Sequence, residues 1–266
     1  MVLDLHQKTY FLITGASRGI GATMALRLAE KLKDSSLVVL LARNEEGLGQ
    51  TKASIDELDK GITVKTFSID LSTASAEQFA EIIDMSLDGG RLAADFKRAI
   101  IIHNAGTVGD VSKRATEVAD IAAWTKYYHL NFFSAVALNC EFFKRFIGVP
   151  KLVVNLTSKC AVEPFASMSF YCSGKATREM YFRVLAEEES KETVVLNYAP
   201  GAIDTDMTLY VQEESINAEL SASFRRQRIT STMLTTEQTT IEFLRVLEEQ
   251  KFKSGDHVDY WDGGLD

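Results

Sequence analysis

Cysteine is scarce in this chain of 266 residues: there are three, Cys140, Cys160 and Cys172. An odd number, at spacings unlike those of a metal site, excludes a disulfide framework and a cysteine-held metal as organising devices. It fits a reduced, cytoplasmic protein. Long apolar runs are missing too; none approaches the length that spans a bilayer. Residues 1–8 are polar and charged and meet the first apolar run at once. That leaves no room for a signal peptide and makes the cytoplasm the expected compartment. Positive charge is outweighed, 29 Lys and Arg against 37 Asp and Glu, for a net charge of -8. The balance argues against nucleic acid or an anionic membrane as a partner. No Pro/Gly-rich linker and no internal repeat divides the chain, so residues 1–266 read as one domain.

What is present is an alternation of apolar runs and helical patterns. Runs at 10–13, 37–42, 62–69, 99–102, 152–156, 193–198 and around 257–261 predict about seven strands. Helices are predicted through Met24, Leu28 and Leu32, over 45–59, near 77–87, over 119–146, from Tyr171 to about Glu189, and over 236–250. Residues 202–230 read as a mixed, irregular segment with helical pieces, placed to act as a lid. Strands alternating with helices imply an α/β fold, a doubly wound parallel sheet covered on both faces. Ligands of such sheets bind at the carboxyl ends of the strands. The motifs that carry chemistry fall at those ends.

The first is Thr14-Gly15-Ala16-Ser17-Arg18-Gly19-Ile20-Gly21, between a strand and a helix. Glycines there let backbone N–H groups approach a pyrophosphate, and the helix N-terminus favours its charge. The second strand ends at Arg43-Asn44, with no acid. An acid would bind the ribose of NAD, whereas Arg43 with Arg18 suits the 2′-phosphate of NADP; two solvated surface cations are the plainer reading. The third ends at Asp70-Leu71, where Asp70 bonds an adenine edge or caps the next helix. The fourth ends at His103-Asn104-Ala105-Gly106, whose small residues let the backbone lie against a cofactor while Asn104 bonds nearby main chain. Asn131, inside a predicted helix, bonds its i−4 carbonyl or marks a kink that holds a water. Tyr171 and Lys175, four residues apart, share a helix face. An ammonium beside a phenol lowers its pKa from about 10 and makes it a usable general acid, although such pairs also occur on solvated helices. Cys172, one residue along that helix, is expected to point away from the site, while Cys160 and Met207 are expected to line its apolar side.

Together, Thr14-x-x-x-Gly-x-Gly, Asn104-Ala105-Gly106, Asn131, Ser158, Tyr171-x-x-x-Lys175 and Pro200-Gly201 resemble the short-chain dehydrogenase/reductase family, in its order and over nearly the whole chain. The resemblance implies a Rossmann-like fold, NADP(H) as cofactor and a homodimer formed through the two long helices. It implies that Tyr171 gives a proton, Lys175 tunes it, Ser158 orients the carbonyl and Asn131 supports a proton relay. Gly15 to Gly21, Arg43, Asn44, Asp70, Leu71, Asn104, Lys175, Ala202, Ile203, Asp204, Thr205, Asp206 and Met207 are its cofactor contacts. Residues 104–113, 198–207 and 252–260 resemble a pterin-reducing branch of the family, in tetrahydrobiopterin synthesis. That branch implies a pterin substrate touching Ser158, Lys159, Tyr171 and Pro200. Asp259 would accept the pterin's adjacent N–H and amino group in a fork. His103, residues 210–235 and the tail Asp262-Gly263-Gly264 depart from the branch pattern. A reductase of other small ketones or diketones, and a non-catalytic NADP-binding regulator, are the competing readings.

Overall fold

The computed structural model describes residues 4–263, so Met1 and Gly264 lie outside it. Seven strands form one parallel sheet: β1 (Thr9–Thr14), β2 (Leu37–Ala42), β3 (Thr63–Ser68), β4 (Arg98–His103), β5 (Lys151–Leu156), β6 (Thr193–Ala199) and β7 (His257–Asp259). Their order is β3-β2-β1-β4-β5-β6-β7, so the chain starts in the middle, winds outward, returns and winds the other way. The change of direction between β1 and β4 opens a crevice at the strands' carboxyl ends.

Every residue of β1, β2, β4 and β5 is buried. Side chains alternate across a strand, so each apolar run feeds two cores. Phe11, Ile13, Val38, Leu40, Ile100 and Val154 meet α1 (Gly19–Ala29), α2 (Glu45–Asp56) and α9 (Thr236–Glu249). Tyr10, Leu12, Val39, Ile101 and Val153 meet α3 (Ala76–Ser86), α5 (Ser134–Arg145) and α6 (Ser169–Glu188). The predicted strands and their parallel, doubly wound arrangement are therefore present. Local chemistry sets the helix starts: Asn44 caps α2, Ser75 with Gln78 boxes α3, and Thr235 with Gln238 boxes α9.

Two expectations need correction. The helix expected over 119–146 is α4 (Ile121–Tyr128), a π-helical turn (His129–Phe133) and then α5. The turn is centred on Asn131, whose Nδ2 donates to Tyr127 O at 2.8 Å. The segment expected to be irregular holds two helices, α7 (Asp206–Glu214) and α8 (Ala218–Ile229). No residue of α8 is buried, so its polar sequence carries little helical periodicity to read.

Candidate active site

The glycine loop and the β4 loop are built as one piece. Asn104 Nδ2 donates to Thr14 O at 2.9 Å and to Gly15 O at 3.2 Å, while the Asn104 and Ala105 N–H groups each donate to Thr14 Oγ1 at 3.1 Å. Gly15 has φ +69, and a Cβ there would lie 2.7 Å from Asn104 Nδ2, so glycine is required on both counts. Ala16 is buried, and its carbonyl accepts from Thr51 Oγ1 at 2.9 Å. Ser17 and Gly19 lie at the mouth of the loop, and Ile20 packs inward on the core. The loop leaves a cradle of small residues at the N-terminus of α1, which fits a dinucleotide's pyrophosphate.

The candidate ribose-end residues divide. Arg43 is exposed at the end of β2, and its side chain has no hydrogen-bond partner among the described residues. Arg18 is ion-paired with Asp206, the first residue of α7, so it bridges the glycine loop and the segment after β6. Asn44 is occupied as the α2 cap, accepting from Gly47 N at 2.8 Å. Asp70 accepts from Ser72 N at 2.9 Å, closing its own turn; the cap of α3 is Ser75. That hydrogen bond holds its carboxyl below the usual range. Leu71 is buried in the core.

Tyr171 and Lys175 lie on α6 near the end of β5. Gly174 stands between them because Tyr127 of α4 packs there: a Cβ on it would meet the Tyr127 hydroxyl oxygen at 2.7 Å. Lys175 is buried and donates to Leu156 O at 2.5 Å, with its Nζ 5.4 Å from the centre of the Tyr171 ring. Burial first, then the Arg178 charge, holds its ammonium well below the usual lysine range. The expected lowering of the phenol pKa is not what this arrangement gives. Burial and then the Cys160 thiol push Tyr171 up, while the Ser158 hydrogen bond and the Arg178 charge pull it back only in part. Desolvation outweighs the nearby cations, and the phenol keeps its proton near neutrality. Ser158 caps the short 3₁₀ turn Lys159–Ala161, accepting from Cys160 N at 3.2 Å, and its hydroxyl also meets Tyr171. The cap foreseen for Ser158 is present, and it leaves the hydroxyl beside Tyr171. Lys159 is exposed and paired with Glu163 at 3.3 Å.

Sequence reading missed the group behind this pair. Arg178 is fully buried on α6, three residues beyond Lys175, with no carboxylate partner among the described residues. Its Nε donates to Asn155 Oδ1 at 2.6 Å, its Nη1 to Ala105 O at 2.9 Å and to Asn131 O at 3.3 Å, and its Nη2 to His103 O. One guanidinium thus ties α6 to β4, the β4 loop, the π-helical turn and β5. Burial brings its pKa down to about 10, so it stays charged at neutral pH. Asn131 is equally committed: its Oδ1 accepts from Thr107 N at 2.8 Å, beside the bond to Tyr127. The i−4 bond and the kink foreseen for it are both present, and its amide is spent within the chain. His103 is buried against Phe182 and held neutral, its pKa down to about 3 through burial and the Arg178 charge.

An apolar wall closes the site. Val108, Val111, Cys160, Met168 and Val211 form a cluster onto which Tyr171, Cys172, Met207, Leu220 and Phe224 pack. Cys172 therefore does not point elsewhere but joins the cluster beside Tyr171. Its thiol is hydrogen-bonded with Cys160, which draws Cys172 down to about 7 and pushes Cys160 up. After β6, Ile203 is buried, Leu234 N donates to Ala202 O at 3.0 Å, and Asp204 is held by Arg228 at 2.7 Å. Thr205 is the N-cap residue of α7. Pro200 O accepts from Thr239 Oγ1 at 2.9 Å. Leu156, Tyr198 and Val258 share one register row across β5, β6 and β7, so Asp259 leaves the sheet level with Thr157, the residue before Ser158. Asp259 Oδ1 accepts from Trp261 N at 3.1 Å. A carboxylate has about four acceptor positions, which leaves it capacity for a ligand's N–H groups.

Comparison with known proteins agrees with this architecture. The family model for short chain dehydrogenases matches residues 9–215. Sepiapterin reductase of Xenopus tropicalis is 37% identical over 253 residues, covering 94% of this chain and 95% of that protein. Benzil reductase ((S)-benzoin forming) of Bacillus subtilis is 32% identical, covering 77% and 79% of the two chains. A solved short-chain dehydrogenase/reductase from Saccharomyces cerevisiae superposes with a TM-score of 0.80 at 25% identity, over 97% and 98% of the two chains. With the glycine cradle, the parallel sheet and the Tyr171–Lys175 helix on one edge, this chain belongs to the short-chain dehydrogenase/reductase family, oxidoreductases of the C=O/CH–OH couple that use a nicotinamide cofactor.

Proposed function

We propose that this protein is an NADPH-dependent reductase of pterin side-chain carbonyls, of the sepiapterin and 6-pyruvoyl-tetrahydropterin type, in tetrahydrobiopterin synthesis. The observation that carries this reading is that Asp259 leaves β7 at the carboxyl edge level with Thr157, the residue before Ser158, beside the Tyr171 helix. Asp259 would accept the N–H and amino group of the pterin ring, as a carboxylate accepts a guanidinium fork. Ser158 and Tyr171 would then hydrogen-bond the side-chain carbonyl oxygen. With its pyrophosphate in the glycine cradle, a bound nicotinamide cofactor would supply the hydride. Tyr171, kept protonated by burial, is in the form a general acid needs and gives its proton to the developing alkoxide. Arg178 stands behind the phenol with positive charge, which opposes the cost of leaving a buried phenolate, and Lys175 lies beside the Tyr171 ring. Asn131 serves by fixing the turn and the 107 loop rather than by offering its amide to a water.

NADP preference rests on exposed Arg43 at the ribose end and on the lack of an acid there. Thr205 and its neighbours at 202–207 would hold the carboxamide end, and Pro200 and Lys159 would border the substrate. The reading also places the protein in the cytoplasm as one domain and as a homodimer through the α4–α5 and α6 helices. Among the described residues no helix is long and apolar enough to cross a membrane.

Turnover of sepiapterin and of a small diketone, with NADPH and NADH, tests the proposal. Asp259→Ala is expected to lose sepiapterin turnover about a hundredfold while keeping diketone turnover, a loss of the size of a charged hydrogen bond. Arg43→Ala is expected to weaken NADPH far more than NADH. Equal losses on both substrates would remove the anchor role. The diketone alternative draws on the benzil reductase relative, and it is the reading left if wild type turns over diketones alone.

A further inference from the structure

Two consecutive residues of α6 reach across the sheet to its far edge. Arg178 donates to Asn155 Oδ1 at 2.6 Å, Asn155 Nδ2 donates to Asn197 Oδ1 at 2.9 Å, and Asn197 Nδ2 donates to Gly255 O at 3.0 Å. Both asparagines are fully buried, and they are register partners in β5 and β6. Glu179, the next residue, is buried; its Oε2 accepts from Thr157 Oγ1 at 2.6 Å and pairs with His257 Nδ1 at 2.8 Å. Thr157 precedes Ser158, and His257 lies two residues before Asp259 on the same strand. One carboxylate thus joins the catalytic helix, the residue before the site serine and the strand of the proposed pterin anchor.

The entry to β7 is held by main chain, Gly255 N donating to Val195 O at 2.8 Å and Asn197 N to Asp256 O at 3.1 Å, and the Glu179–His257 pair adds a side-chain tie further along, toward Asp259. β7 has three residues at the edge of the sheet and pairs only with β6. So short an edge strand has little ladder of its own to fix its register. We propose that Glu179 is a positioning residue for substrate recognition: through its charged hydrogen bond to His257 it holds β7, and therefore Asp259, at a fixed place relative to Tyr171 and Ser158. This rests on the reading of Asp259 as the pterin anchor. Neither Glu179 nor His257 touches the reacting atoms; their effect falls on KM for substrates that use Asp259.

The pair also gives recognition a pH dependence. His257 is faced by Glu179 from α6, by Asp259 on its own strand and by Asp262 from the turn beyond. Glu179 is faced by His257, Thr157 and Arg183, and its charge also acts on Lys175. The Glu179 hydrogen bond raises the His257 pKa against the opposing effect of burial. Burial would raise Glu179, but the bonds from His257 and Thr157 outweigh it and leave it lowered. A base whose folded pKa is raised contributes fully below its ordinary value and loses that contribution as pH rises through the folded value. Anchoring therefore weakens on the alkaline side, as His257 loses its proton.

The experiment measures KM and kcat for sepiapterin and for a small diketone across pH, on wild type, Glu179→Gln, His257→Asn and Asp259→Asn. Nuclear magnetic resonance titration of the His257 ring accompanies it. Wild-type KM for sepiapterin should rise with pH through the His257 titration. Glu179→Gln and His257→Asn should each raise that KM about tenfold at low pH, flatten its pH dependence and leave diketone KM in place. In Glu179→Gln the ring should titrate below its wild-type value, since the raising hydrogen bond is gone and the burial remains. If Asp259→Asn raises sepiapterin KM but neither of the other variants does, this proposal falls and the anchor reading stands. Equal KM rises on both substrates would show a merely structural role and also overturn it. If Asp259→Asn changes nothing, the anchor reading fails and this inference with it. Should Glu179→Gln not fold, His257→Asn carries the test.

Discussion

Arg178 brings a cation into the core and satisfies it with carbonyl oxygens alone. Unlike lysine, a guanidinium presents five donors in a rigid fork, and here the fork matches four acceptors from four parts of the chain. Removing it would strand those acceptors in a place without water. Arg178→Met should therefore destabilise the fold by about 3–5 kcal/mol, and Arg178→Lys should recover only a fraction, as read by urea unfolding. A loss under about 1 kcal/mol would mean that the acceptors find other partners. At this scale the sequence was only partly legible. Tyr171, Lys175, Ser158 and Asn104 stood out because their chemistry needs particular spacings. Arg178 and Glu179 did not, since a charged pair on a helix reads as a solvated face. Their signal was present elsewhere: asparagine is uncommon in strands, yet Asn155 and Asn197 stand in central strands flanked by leucine, tyrosine and valine.

The helix is the next scale, and α6 shows how two demands meet in one element. A glycine inside a helix costs about 1 kcal/mol against alanine, so Gly174 weakens α6 on propensity alone. It is there because the Tyr127 ring occupies the space of its missing methyl. Gly174→Ala should accordingly lower thermal stability rather than raise it, by roughly 1–3 kcal/mol, with a loss of turnover as Tyr171 shifts. A rise in Tm would show that α4 yields instead. Element bounds were legible where apolar runs are uniform: β2 was expected at the residues it occupies, and the other strands to within a few residues. The π-helical turn was not, because hydrophobic spacing cannot register one extra residue in a turn. Nor were α7 and α8, whose few inward residues pack on the site wall rather than on the sheet.

For the whole molecule, the outward side of α6 and of the π-helical turn leaves Met180 55%, Val184 46% and Phe133 47% exposed. Apolar side chains gathered along two neighbouring helices suit an isologous contact with a second copy, the commonest oligomer symmetry. Met180→Asp with Val184→Asp should convert a dimer to monomers in sedimentation velocity, with NADPH binding retained. A wild-type chain that sediments as a monomer would refute the dimer. Global topology was the most legible layer of all, since seven apolar runs alternating with helices leave few arrangements of a parallel sheet. Which cleft residues lie near one another was the least, because only the strand register brings Asp259 level with Thr157, next to Ser158, across β6.

The three-residue strand β7 has a consequence for descent with modification. The proposed reaction chemistry lies on α6 and the inner strands, where almost any change disturbs a core. Selectivity is proposed to stand on the short strand β7, tied to the catalytic helix through the Glu179 carboxylate. Exchange of that strand would alter which carbonyl compounds are accepted without rebuilding the catalyst. A reductase arranged in this way could acquire a new clientele by exchange of β7 and the turn beyond it, while the helix and strands that carry hydride transfer stay as they are.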